Sequence, residues 1–211
     1  MTARAPDGER VTIEGPAGPL EALLEMPPGP SPGRYAVICH PHPLFGGTMQ
    51  NKVVYTLARA VRELGCAALR FNFRGVGRSA GAYDNAVGET EDAQAVAAWG
   101  AARFPGAELW SLGFSFGSFV AYGLALREGA TRLVTVAPPV QRFDFSTLPV
   151  PTCPWLVVQG DADELVNHDA VVGWTRRLVP APQVALLPGV DHFFHGRLTE
   201  LRAVVQEFLQ K

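Results

Sequence analysis

Hydrophobic and polar positions along the chain follow two rhythms. Short, nearly continuous apolar runs recur at Tyr35–Cys39, Cys66–Phe71, Ala107–Leu112, Leu133–Ala137, Trp155–Gln159 and Gln183–Leu187. Runs of that kind predict strands buried on both faces of a parallel sheet. Between them the apolar residues return at helical spacing. Val54, Leu57, Ala58, Val61 and Leu64 do so over Asn51–Leu64, and Ala93, Val96, Ala97 and Gly100 over Glu89–Arg103. Further helices are predicted over Ser118–Arg127, ending at Gly129, over His168–Leu178 and over Thr199–Leu209. Ahead of this alternation, Arg10–Glu14 and Leu20–Met26 read as a hairpin closed by the turn-rich Gly15–Pro19. A front hairpin followed by repeated strand–helix units predicts an α/β fold. Its mostly parallel, twisted sheet of about eight strands should carry helices on both faces. The Pro27–Gly33 connector marks no boundary, because strand signal resumes at once, so residues 1–211 are expected to form one domain.

Composition narrows the picture by exclusion. The 211 residues are 47% hydrophobic and 18% charged, with a net charge of −2. Only Lys52 and Lys211 are lysines, and the arginines are scattered, so neither nucleic acid nor an anionic membrane is expected as a partner. No run approaches the ~18 apolar residues of a membrane span. Met1–Arg10 is polar and has no apolar core of a signal peptide. Cys39, Cys66 and Cys153 are odd in number and lie in or beside apolar runs, which suits free thiols in a reducing compartment. A cytoplasmic protein, monomer or homodimer, is the expectation.

The chemistry centres on Gly113-Phe114-Ser115-Phe116-Gly117, placed between a predicted strand and a predicted helix. A Gly-x-Ser-x-Gly turn in that setting is a nucleophile elbow. Two small residues are needed because a Cβ at either flank would press on the neighbouring strand or on the helix start. A serine hydroxyl needs a base, and the base needs a partner that fixes its tautomer. In sheets of this type such groups gather at the carboxyl ends of strands. Two loops sit there: Gln159–Val166, containing Asp161, Asp163 and Glu164, and Gly189–His195, containing His192 and His195. The competing readings are plain. Ser115 could be a simple helix cap, either aspartate could merely order its loop, and His168 or His195 could replace His192.

Here the sequence resembles the α/β-hydrolases, whose triad runs Ser, Asp, His in chain order. Gly160-x-x-Asp163-x-x-Val166 resembles the family's acid loop, Gly189-x-x-His192-Phe193-Phe194 its histidine loop, and Asn72-x-Arg74-Gly75-x-Gly77-x-Ser79 its Asp-x-Arg-Gly-x-Gly-x-Ser turn, with Asn72 where an acid is usual. His40–Lys52 is most similar to small bacterial members known only as predicted esterases. The resemblance implies Ser115 as nucleophile, His192 as base and Asp163 as its partner. It also implies an oxyanion hole from the backbone N–H of Phe116 and of a residue after the Tyr35 strand. Pro41 and Pro43 have no N–H, which leaves His42 or Leu44, with His42 the better match.

Two other patterns in the chain carry less. His40 and His42 point the same way on an extended segment but lack further ligands, so no metal is expected and His40 reads as a buried loop histidine. Gly75–Ala80 fits Gly-x-Gly-x-x-Ala, yet no helix opens directly after it, so neither a dinucleotide nor any other cofactor is expected. Only Pro138–Pro154 separate two strands where many α/β-hydrolases carry a cap, so the site should be an open cleft. Its expected walls are Leu44, Phe45, Phe143, Phe145 and Phe193, with Phe114 and Phe116 beside the serine. The expected activity is a carboxylesterase on short acyl esters. Thioesters, peptides or lactones, and an idle binding protein on the same fold, are the alternatives.

Overall fold

The computed structural model describes residues 8–29 and 33–211. The first part of the polar Met1–Arg10 segment and the middle of the Pro27–Gly33 connector lie outside the described residues. Among the described residues eight strands form one sheet in the order β1-β2-β4-β3-β5-β6-β7-β8. β1 (Glu9–Gly15) and β2 (Gly18–Glu25) make the expected hairpin, and β2 continues antiparallel onto β4 (Ala67–Phe71). From β4 onward every pairing is parallel, through β3 (Arg34–Cys39), β5 (Glu108–Phe114), β6 (Arg132–Val136), β7 (Trp155–Gly160) and β8 (Gln183–Leu187).

Helices cover both faces, as the continuous apolar strands require. Along β3 successive side chains alternate between two cores. Tyr35, Val37 and Cys39 join Ala93, Val120 and Trp174 from α2 (Val87–Arg103), α3 (Phe116–Glu128) and α4 (His168–Thr175). Ala36 and Ile38 meet Val54, Val61, Leu201 and Val205 from α1 (Lys52–Glu63) and α5 (Leu198–Leu209). Asn51 caps α1 by accepting from the Val53 amide at 2.8 Å, and Asn167 caps α4 by accepting from Ala170 at 2.9 Å.

Most boundaries shift by a residue or two from expectation, as at Val87 of α2 and Gly18 of β2, and three shifts have a clear consequence or cause. β5 runs two residues further, to Phe114, and α3 starts at Phe116 instead of Ser118, so strand and helix meet with only Ser115 between them. α4 stops at Thr175 because the chain tightens there: Arg177 and Leu178 donate to carbonyls three residues back, at 3.1 and 3.2 Å. Between β6 and β7 the only helical element is a 3₁₀ turn, Phe145–Thr147.

Register positions the chemistry. Cys39 of β3 lies beside Gly113 of β5, so the loop after β3 emerges next to the elbow. Gly160 of β7 lies beside Leu187 of β8, so the two loops holding Asp163 and His192 emerge side by side.

Candidate active site

Ser115 sits at φ +53°, a left-handed conformation that costs a non-glycine residue about 1–3 kcal/mol. Packing around it holds it there. A Cβ on Gly113 would lie 2.0 Å from the Gly117 carbonyl oxygen, and one on Gly117 would lie 2.3 Å from the Cys39 carbonyl oxygen. The Ser115 amide donates to the Val136 carbonyl at 2.8 Å, and Ser118 Oγ lies across the turn at 3.0 and 2.9 Å from the Gly113 and Val136 carbonyl oxygens, which share its one proton. Although Ser115 occupies the cap position of α3, its side chain makes no capping hydrogen bond. The capping reading therefore falls, and Oγ is free.

Oγ instead meets the histidine. His192 Nε2 lies 3.2 Å from Ser115 Oγ, and His192 Nδ1 lies 2.8 Å from Asp163 Oδ2. Asp163 is thoroughly hydrogen-bonded. Its Oδ1 accepts from the amides of Leu165 and Val166 at 2.8 and 2.7 Å, and its Oδ2 also accepts from Gln159 Nε2 at 3.0 Å. Burial pushes the carboxyl's pKa up, but the bond from His192 and those two amides outweigh it, and the group is held below its ordinary value. An ionised carboxylate only accepts, so the His192 proton stays on Nδ1 and Nε2 presents a lone pair to Ser115. The His192 amide donates to Glu164 Oε2 at 3.2 Å, and the ring rests on Phe114 with centroids 5.1 Å apart.

The rival groups are accounted for. Asp161 Oδ1 accepts from the Gly189 amide at 2.6 Å and so ties the two loops together. His195 is exposed and pairs with Asp191 at 2.8 Å, and His168 lies at the start of α4 next to Asp169. Buried His40 is satisfied by the backbone, as expected: Nδ1–H donates to the Pro41 carbonyl at 2.6 Å, and Nε2 accepts from the Phe73 amide at 3.1 Å. Among the described residues no group of three His, Cys, Asp or Glu side chains could hold a metal ion.

The loop after β3 brings His42 to the elbow, where its ring stacks on Phe116 at 4.9 Å. Burial, with the charge of Arg142 adding to it, lowers the His42 pKa. The Leu44 amide donates to His42 Nδ1 at 3.3 Å. The His42 and Phe116 amides, by contrast, find no acceptor among the described residues. The prolines on either side and Gly47, whose Cβ would lie 2.0 Å from the Pro41 oxygen, hold this loop tight.

Ser115, His192 and His42 open onto a cleft of about 550 Å³ that also exposes Phe45, Phe143 and Phe193. Two expected walls are corrected. Phe145 is buried against Phe119, Tyr122 and Trp174 at 4.8–5.3 Å, because Asp144 caps the 3₁₀ turn and rotates Phe145 into the core. Leu44 is 67% exposed and lies outside the cleft, because the short turn Pro43–Phe45 brings only Phe45 to the rim. Phe114 lies beneath His192, fully buried. Sequence reasoning missed Arg142 and Leu165, which also line the cleft. Both sit in the strand-end loops where ligands gather, a signal the emphasis on aromatic residues overlooked.

An elbow serine, an acid loop and a histidine loop at the carboxyl edge of this sheet define an α/β-hydrolase. The chain belongs to the α/β serine hydrolases that lack a lid. It is 42% identical to such a hydrolase from Xanthomonas campestris, over 98% of this chain and 95% of that one, with a TM-score of 0.92. It is 43% identical to an α/β serine hydrolase homologue from Coxiella burnetii, over 97% of this chain and 99% of that one, also with a TM-score of 0.92. An uncharacterised protein of Rickettsia prowazekii is 35% identical over 95% of this chain and 88% of its own length. No protein-family model matches the chain.

Proposed function

We propose that the protein is a serine carboxylesterase acting on short acyl esters, with Ser115, His192 and Asp163 as its triad. The observation that carries this reading is the continuous row from Asp163 Oδ2 through His192 to Ser115 Oγ, at 2.8 and 3.2 Å, opening into an uncovered apolar cleft. His192 Nε2 takes the Ser115 proton as Oγ bonds to the ester carbonyl carbon. The oxyanion that forms is held by the amides of Phe116 and His42. When it collapses, the C–O bond to the alcohol breaks and His192 returns the proton to the departing oxygen. Water, deprotonated by His192, then attacks the acyl-serine and releases the acid. Asp163 fixes the imidazole tautomer and stabilises its charged form.

A pocket without a helical lid favours small substrates over long lipids that need an interface-opened cap. Among the described residues no helix is long and apolar enough to cross a membrane. Cys39, Cys66 and Cys153 are free thiols, which fits residence in the cytoplasm. The test is hydrolysis of p-nitrophenyl acetate by the wild type and by Ser115→Ala, with folding checked by circular dichroism. Loss of turnover and of fluorophosphonate labelling in the folded variant is expected. Unchanged turnover overturns the assignment.

A further inference from the structure

Resting on the esterase reading, we infer that Arg142 selects substrates whose acyl portion carries a carboxylate. Arg142 lines the same cleft as Ser115, and among the lining residues it is the sole permanently charged side chain. No carboxylate among the described residues lies within ion-pair distance of its guanidinium. The nearest candidate in sequence, Asp144, is engaged in accepting from Ser146 Oγ and the Ser146 amide. A cation without a carboxylate partner among the described residues, beside an apolar cleft, is a ready recognition element for a planar anion, which arginine grips with two parallel N–H donors.

The turn that carries Arg142 is built to hold it in place. The Pro139 carbonyl accepts from both the Arg142 and the Phe143 amides, at 2.9 and 3.1 Å. Phe143 is wedged between Phe116 and Phe119, each with ring centroids 5.3 Å away. Gln141 Oε1 accepts from the Asn167 amide at 3.3 Å and joins the turn to the start of α4.

Position decides which part of the substrate is read. The leaving alcohol must depart beside His192 Nε2, which protonates it. The turn that carries Arg142 bears instead on the oxyanion side: the next residue, Phe143, packs on Phe116 at 5.3 Å, and Phe116 in turn meets the His42 ring at 4.9 Å. The charge it recognises therefore belongs to the acyl chain. Because Arg142 is exposed, the preference it generates is modest, roughly five-fold in kcat/KM.

The test compares the 4-nitrophenyl monoester of adipic acid with 4-nitrophenyl hexanoate, which share leaving group and chain length. Reading the ratio of the two kcat/KM values cancels any general effect on turnover. Arg142→Gln is expected to lower the adipate-to-hexanoate ratio roughly five-fold, Arg142→Glu to lower it further, and Arg142→Lys to retain part of it. Raising the salt should erode the wild-type ratio, since screening shortens from ~10 Å at 0.1 M to ~3 Å at 1 M. A second arm uses 4-carboxyphenyl hexanoate, whose charge lies on the leaving group. If Arg142→Gln affects that ester more than the adipate, acyl-side recognition is overturned. An unchanged ratio in the variants overturns it while hexanoate turnover leaves the esterase standing. Failure to hydrolyse any of these esters overturns both.

Discussion

Asp161 accepts a 2.6 Å hydrogen bond from the Gly189 amide, joining the loop after β7 to the loop after β8. Two residues further on, Asp163 accepts from the His192 ring. Two carboxylates of one loop thus divide the work, the first holding loop to loop and the second holding the imidazole. Asp163→Asn removes the acceptor that fixes the His192 tautomer, and a loss of about 10³–10⁴ in kcat is expected. Asp161→Asn keeps a carbonyl acceptor for Gly189. Its expected cost is less than about 1 kcal/mol of stability and less than ten-fold in kcat. Steady-state kinetics beside urea titrations separate the two, and equal losses in kcat would refute the division.

The elbow glycines lend themselves to a steric test. A Cβ on Gly117 would sit 2.3 Å from the Cys39 oxygen and 2.5 Å from the His40 oxygen, both backbone atoms that no rotamer change can move aside. Gly117→Ala must therefore push α3 away from the end of β3. An expected loss of about 1–3 kcal/mol in urea unfolding follows. It should come with a fall in kcat, because the same shift separates the Phe116 amide from the His42 loop. A variant of wild-type stability would show that the contact can relax.

Why some of this could be read in the chain and some could not has a physical explanation. The strands showed themselves because a strand covered on both faces must be apolar throughout. The elbow, the Asp163 loop and the His192 loop showed themselves because their geometry is local, set by glycines and by bonds only a few residues apart. Phe143 and Phe145 could not be told apart in this way. They are separated by one residue, and only the Asp144-capped turn, together with Trp174 arriving from α4, decides that Phe145 faces inward and Phe143 faces the cleft. Leu44 and Phe45 present the same difficulty on the 3₁₀ turn after β3. Arg142 stayed hidden because nothing nearby in sequence reveals that the fold brings it to the rim of the cleft.

Asn72, standing where the turn that this sequence resembles usually has an acid, leads to another prediction. Its Nδ2 donates to Glu21 Oε2 at 2.9 Å, and its Oδ1 accepts from the Met49 amide at 2.9 Å. Burial pushes the Glu21 carboxyl up, but the Arg78 amide and the Asn72 side chain outweigh it and keep the group below its ordinary value. Asn72→Asp would set two carboxylates face to face, with an expected cost of about 1–3 kcal/mol at neutral pH. Adding Glu21→Gln should recover most of that loss, since the glutamine amide can donate to the introduced carboxylate. A double-mutant cycle by urea unfolding measures the recovery. Strict additivity would mean that the two side chains do not interact.

The buried His40 connects stability to pH. Its Nδ1–H donates to Pro41 and its Nε2 accepts from Phe73, and the ring packs on Phe73 at 4.3 Å. A second proton could go only onto Nε2, where the Phe73 N–H already points. Burial, aided by His42 and only partly opposed by the Pro41 bond, pushes the His40 pKa down from 6.5 to about 3. Between those values the unfolded chain binds a proton that the native chain refuses. Stability therefore rises with pH across that window: the contribution is fully present above 6.5 and is progressively lost as pH falls toward 3. The slope contributed by one proton is about 1.36 kcal/mol per pH unit. His40→Gln, which cannot charge, should show a shallower decline between pH 6.5 and about 4, by close to one proton, whatever its stability at neutral pH. Urea unfolding at several pH values gives both slopes, and parallel lines would place the acid sensitivity elsewhere in the molecule.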